Sequence, residues 1–147
     1  MKVMNSVLRV LLVDDNQNDL ALAMIAFEEH ERSTQVTTCN SGKEALAYLR
    51  DSNIPLPNVV VLDLNMPMMS GFEVLEAIRC DPLLQPLTVV ILSTSSDPGD
   101  IQTAYRLFAS SYMVKQQNFG DFMEQIDQFV TYWRRCQFPN VDRQPTP

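Results

Sequence analysis

The sequence predicts an α/β protein, with five β-α units forming a three-layer sandwich around a parallel five-stranded sheet. Two observations predict it. First, short apolar runs end abruptly on an acid or a turn residue, the plainest being Val59-Val60-Val61-Leu62 before Asp63. A run that stays apolar without alternating is buried on both faces, and strands of that kind belong to parallel sheets covered by helices on either side. Second, a stretch with apolar residues at helical spacing follows each run, so strand and helix alternate along the chain. Right-handed crossovers between parallel strands then place helices above and below one sheet.

Taken in order, Leu8 to Val13 is the first strand and ends in Asp14-Asp15. Leu20, Ala23, Met24 and Phe27 mark the face of a first helix. The β-branched stretch 34–39 gives a second, less buried strand. Ser41-Gly42-Lys43-Glu44 has the form of a capping box, and Ala45, Leu46 and Leu49 follow it on a second helix. Pro55 and Pro57 make Asp51 to Asn58 a loop before the third strand at Val59. Ser70 caps a third helix with Phe72, Leu75 and Ile78 on its inner face. Leu87 to Leu92 is the fourth strand and closes on Ser93. Asp97-Pro98 opens a fourth helix with Pro at its first position, its apolar face being Ile101, Ala104, Tyr105 and Phe108. Ser111 to Lys115 is the fifth strand, and Phe119, Phe122, Ile126, Phe129, Val130 and Trp133 line a long last helix. Residues 1–135 are read as one domain and 136–147, with three prolines and no periodicity, as a flexible tail.

Composition narrows the function classes. A net charge of −7, with no basic run longer than Arg134-Arg135, argues against a nucleic-acid partner, whose phosphates need clustered Lys and Arg. No stretch approaches membrane-spanning length. Cys39, Cys80 and Cys136 are too far apart for a C-x-x-C site, and an odd count fits free thiols in a reducing, cytoplasmic setting. His30, the one histidine, lies in the polar run Glu28 to Arg32 and reads as part of a solvated helix end.

In an all-parallel sheet the carboxyl ends of the strands meet on one edge, which would gather Asp14, Asp15, Asp63, Ser93 and Lys115. The flavodoxin-like strand order 2-1-3-4-5 sets the first and third strands side by side, with the ligand crevice at their ends. Singly, each residue has a plain explanation: Asp63 or Asp14-Asp15 as helix caps, Ser93 as a turn residue, Lys115 as a surface charge. Jointly they share one kind of position. Clustered carboxylates need a counter-charge, and Mg²⁺ with its oxygen ligands and affinity for phosphate supplies one. A carboxylate flanked by a metal, a hydroxyl and a lysine suits phosphoryl transfer to Asp63 as an acyl phosphate.

Asp14-Asp15, the segment Asp63-Leu64-Asn65-Met66-Pro67 with Gly71, Ser93 after a buried strand, and Ser111-Tyr112-Met113-Val114-Lys115 together resemble the receiver domain of two-component response regulators, over about residues 8–133. The resemblance implies that Asp63 is the phosphoacceptor, charged from the phosphohistidine of a sensor histidine kinase. It implies that Asp15, Asp63 and the Asn65 backbone carbonyl bind Mg²⁺, with Asp14 supporting the ion through water. It further implies that Ser93 and Lys115 contact the phosphoryl group, and that Tyr112 is a switch residue turning inward as the Ser93 hydroxyl moves. Such a protein is no enzyme beyond its own phosphoryl transfer and dephosphorylation. Output is then expected through the fourth helix, fifth strand and fifth helix. Within the family the chain is most similar to single-domain regulators paired with bacterial phytochromes, on the long loop before Asp63, Leu92 to Asp97, and Tyr132-Trp133. One departure is Gln116, where receivers usually place a proline, often in cis. A non-proline cis bond costs about 2.5–4 kcal/mol, so Lys115-Gln116 is expected trans and Lys115 differently aimed.

Three other functions fit the same topology. A flavin electron carrier would need Ser, Thr and Gly around its phosphate, where this chain has Asp14 to Asp19. A phosphohydrolase commonly wants an acid two residues beyond the nucleophile, where this chain has Asn65. An unphosphorylated interaction module would not need every site position filled. A homodimer through Tyr105, Phe108, the fifth strand and the last helix is expected from apolar residues in excess of one core stripe.

Overall fold

A computed structural model describes residues 7–139. Its elements are β1 (Leu8–Val13), α1 (Gln17–Glu28), β2 (Thr34–Cys39), α2 (Gly42–Arg50), β3 (Val59–Leu62), α3 (Gly71–Cys80), β4 (Thr88–Ser93), α4 (Pro98–Arg106), β5 (Ser111–Val114) and α5 (Phe119–Arg134). The strands pair in parallel in the order β2-β1-β3-β4-β5, as the sequence predicts.

Strand pleating sends successive side chains to opposite faces. Leu11, Val13, Val60, Leu62, Val89 and Ile91 enter one core, with Leu49 of α2 and Val74, Leu75 and Ile78 of α3. Val10, Leu12, Val59, Val61, Val90 and Leu92 enter the other, with Phe27 of α1 and Phe122, Ile126 and Phe129 of α5. All four residues of β3 are buried, which explains their unbroken apolar character.

Side chains mark where the helices begin. Asn16, Ser41, Ser70, Asp97 and Asn118 each accept a backbone N–H at a helix start. Ser70 and Glu73 form a complete capping box. At Ser41 the predicted box is half made: the hydroxyl accepts Glu44 N–H, but the Glu44 carboxylate reaches back to Asn40 N–H at 2.8 Å.

Several expectations need correction. The buried arc of α1 is centred on Ala23 and takes in Ala26, which leaves Met24 at its rim, 37% exposed. Phe119, at the first position of α5, lies outside the buried stripe, as does Tyr105 on α4. Phe108 is not on α4 at all. The helix stops at Arg106, and Phe108 takes a left-handed φ of 65°, the conformation that usually terminates a helix with Gly. Within the segment read as a tail, Phe138 stacks on Trp133 with ring centroids 6.2 Å apart and packs against the second core. The remainder of that tail, 140–147, lies outside the described residues. His30 is also less free than expected, since its Nε2 pairs with Asp127 Oδ1 of α5 at 2.5 Å.

Arg79 holds the left-handed turn. Its guanidinium donates to the carbonyls of Phe108 at 2.7 and 2.9 Å, of Leu87 at 2.6 Å and of Gln85 at 3.0 Å. Arg79→Met leaves three carbonyls to find water. A stability loss of about 2–4 kcal/mol is expected, read as a lower urea midpoint at unchanged slope.

Candidate functional site

The carboxyl ends of the strands carry the predicted residues to one edge, with the ladder continuing one residue past β1, β3 and β5 and Ser93 closing β4. Asp14 N–H bonds Cys39 O at 3.1 Å, Asp63 N–H bonds Val13 O at 3.0 Å and Lys115 N–H bonds Ser93 O at 2.7 Å. Asp14, Asp15 and Asp63 each offer a carboxylate oxygen, all within 4.8 Å of one another. Asp14 is buried, and Asp15 and Asp63 are half-buried. The donor set is all hard oxygen, which fits a small divalent cation.

Charge and burial set the character of the acceptor position. Burial pushes the Asp63 carboxyl up from 3.8 to about 6, and neighbouring Asp14 adds to the rise. Lys115 and the Asn65 backbone N–H oppose it without cancelling it. Burial would lower the Lys115 pKa, but Asp14 and Asp19 outweigh that and hold the ammonium raised. Lys115 Nζ lies 3.2 Å from Asp14 Oδ2 and 3.2 Å from Asp19 Oδ2. Asp19 is a residue the sequence reasoning missed. Its signal was its place in the first turn of α1, four residues beyond Asp15.

Ser93 is fully buried, and its Oγ accepts the N–H of Ser95 at 3.1 Å. Tyr112 is half-buried and donates its hydroxyl to Ser95 O at 2.8 Å, while Ser95 Oγ donates to Asp100 at 2.6 Å. Ser95 thus touches both switch positions, another link the sequence left unread. The Lys115-Gln116 peptide is trans, as expected. A cavity of about 410 Å³ opens beside Lys115, lined by Asp19, Leu22, Thr94 and Phe119. A larger one of about 550 Å³, lined by Arg9, Asn58, Pro86 and Phe138, lies at the opposite end of the strands and plays no part in the acidic site.

The loop after Asp63 is shaped by close approach. Gly71 N–H bonds Leu64 O at 2.9 Å, and a Cβ on Gly71 would lie 2.2 Å from the Asp63 carbonyl oxygen. Met66 tucks into the core, whereas Met68 turns outward with φ 70°.

The response regulator receiver domain family matches residues 10–127. The chain belongs to that family. Among curated relatives it is 35% identical over 127 residues to the probable methanogenesis regulatory protein FilR2 of Methanothrix harundinacea, covering 84% of this chain and 82% of that one. It is 30% identical over 128 residues to response regulator Rcp1 of Synechocystis sp., covering 84% and 87% of the two chains. Among solved structures, the phosphorylated cyanobacterial phytochrome response regulator RcpA superposes with a TM-score of 0.86 at 33% identity, covering 92% of this receiver and all of RcpA. The Mn²⁺-bound form of Rcp1 gives a TM-score of 0.82 at 29% identity, covering 89% and 98%. As a receiver this domain has a histidine kinase as its partner and a divalent-metal site in its acidic pocket. No described helix is long and apolar enough to cross a membrane.

Proposed function

We propose that Asp63 accepts the phosphoryl group, that Mg²⁺ is the ion used, and that the donor is a histidine kinase of the bacterial phytochrome type. One observation carries the assignment. Burial and Asp14 push the Asp63 carboxyl up to about 6, and among the described residues no cation pairs with it directly. Its charge is left for a metal and an incoming phosphorus to satisfy. In the transfer, a carboxylate oxygen of Asp63 bonds to phosphorus as the donor's P–N bond breaks and the imidazole keeps the electron pair. When bound, Mg²⁺ would supply positive charge to offset that of the phosphoryl oxygens. Asp15 and Asp63 would hold it with the Asn65 carbonyl, and Asp14 would support it through water.

Lys115 leaves Asp19 to meet the phosphoryl group, and Ser93 turns its buried hydroxyl from Ser95 towards it. That frees the Ser95 segment gripped by Tyr112, a local change of charge that biases a two-state loop. The domain is no enzyme beyond its own phosphorylation and dephosphorylation. Relatives working with phytochromes support the kinase class, and the cysteines, free among the described residues, support a reducing cytoplasm. Output runs through protein contacts on α4, the turn that follows it, β5 and α5, where Tyr105, Phe108 and Tyr132 are 49, 73 and 62% exposed and could meet a second copy. Sedimentation with beryllofluoride is expected to show a dimer, and a monomer in both states would reject that contact.

The functional test is labelling. Acetyl phosphate with Mg²⁺ is expected to add one labile phosphate, detected by intact mass, and EDTA to prevent it. An unmodified protein under conditions that label a control receiver would reject the assignment. The pH dependence has a sign. Asp63 must be ionised to attack, so at limiting metal the labelling rate is expected to fall about tenfold per unit as pH drops below about 6. A flat rate from pH 7 to 5 would contradict it.

A further inference from the structure

Lys115 follows β5, an edge strand whose inner side pairs with β4 through the Lys115 N–H and Ser93 O. The carbonyl before it and the N–H after it, on Val114 and Gln116, point away from β4, to the side where no further strand lies among the described residues. An unpaired edge of this kind is free to shift and to exchange its bonds with water. Here one side chain covers both groups. Gln125 of α5 donates Nε2–H to Val114 O at 2.9 Å and accepts Gln116 N–H on Oε1 at 3.2 Å. A carboxamide carries a donor and an acceptor in one plane, so it stands in for the missing strand at a single step.

We infer that Gln125 is a positioning residue for Lys115, fixing the backbone on both sides of the lysine so that its ammonium points into the acidic site. The inference rests on the proposal that Lys115 contacts the phosphoryl group. Gln116 is part of the device, because it brings an N–H that a proline in its place would lack. Gln125 touches neither metal ligand nor phosphoacceptor. It acts only through Lys115, whose Nζ reaches Asp14 and Asp19 from that fixed backbone. A displacement of about 1 Å in a group that neutralises charge in the transition state can cost up to a hundredfold in rate.

Gln125 is half-exposed, so replacing it removes little packing. Gln125→Met loses both bonds. Gln125→Glu keeps the acceptor for Gln116 N–H and loses the donor to Val114. The experiment measures acetyl phosphate labelling rates with Mg²⁺ on the full chain, beside melting temperature as a control on folding. Gln125→Met is expected to label on the order of tenfold more slowly than wild type, with Gln125→Glu between the two. In a Lys115→Met background, Gln125→Met is expected to add no further loss, a result that general loosening of α5 would not give. The inference is overturned if wild type labels and Gln125→Met labels equally fast, or if the loss persists undiminished without Lys115. Should Gln125→Met melt early, the ranking of Gln125→Glu against wild type decides in its place, equal rates again overturning the inference. A wild type that takes no label overturns the phosphoacceptor proposal itself, and this inference falls with it.

Discussion

Asp63→Asn is expected to abolish labelling by acetyl phosphate while making the metal-free protein more stable at neutral pH. The two effects have one cause. Burial first, and Asp14 second, raise the Asp63 carboxyl from 3.8 to about 6, so the folded chain resists ionising it. Between those values the folded state holds a proton that the unfolded state has released. Stability therefore falls as pH rises through that window, and the full penalty applies above about 6. An amide of the same shape carries no such penalty. After discounting for partial exposure, the gain is on the order of 1–2 kcal/mol at pH 7.5 and vanishes below about pH 4. Thermal melts in EDTA across that range check the sign. With saturating Mg²⁺ the order reverses, because the wild type gains binding energy that the amide variant cannot. A variant less stable than wild type in EDTA at pH 7.5 would show that the acidic cluster is held by contacts other than those described.

Gly71→Ala is expected to damage both fold and site, though Gly71 bears no functional group. Its Cβ would lie 2.2 Å from the Asp63 carbonyl oxygen and 2.7 Å from Leu64 Cα, and both are backbone atoms that no rotamer change can move. The start of α3 must then back away from the end of β3. That strains the Gly71 N–H bond to Leu64 O and drags Asp63 from the strand end that places it. A stability loss of about 3 kcal/mol is expected, the range for overpacking a tight interior. The labelling rate of the protein that remains folded is expected to fall on the order of a hundredfold, as for a reacting group moved by about 1 Å. Gly42→Ala is a useful comparison, since its Cβ would meet the side chains of Val74 and Met69, away from the phosphoacceptor. It is expected to cost stability without a matching loss of labelling. Equal labelling losses in the two variants would mean that Gly71 acts through stability alone.

The sheet was legible because each strand advertises itself locally. The β3 run is apolar at every position because it is buried on both faces, and residues at or just past a strand's carboxyl end inherit a place on the functional edge. Asp14, Asp15, Asp63, Ser93 and Lys115 could therefore be gathered from one dimension. What could not be read were partners set by three-dimensional approach. Asp19 looks like an ordinary first-turn acid until Lys115 arrives beside it from 96 residues away. Gln125 is a polar residue on the outer side of a long helix until the edge of β5 is seen to need it. Helix faces were legible at their centres and not at their rims, which explains Met24 and Phe119. Phe108 failed for a different reason: a left-handed residue ended α4 early, and no Gly signalled it. Phe138 had no periodic companions and found its place by stacking on Trp133.

The central claim is that one carboxylate, on Asp63, takes the phosphoryl group. Borohydride reduces an acyl phosphate of aspartate to homoserine, which marks the acceptor permanently. Protein treated with acetyl phosphate and Mg²⁺, reduced and digested, is expected to carry homoserine at position 63, with Asp14 and Asp15 unaltered. Homoserine at either of those acids with Asp63 intact, or at none of the three in a protein that has gained phosphate, would contradict the account.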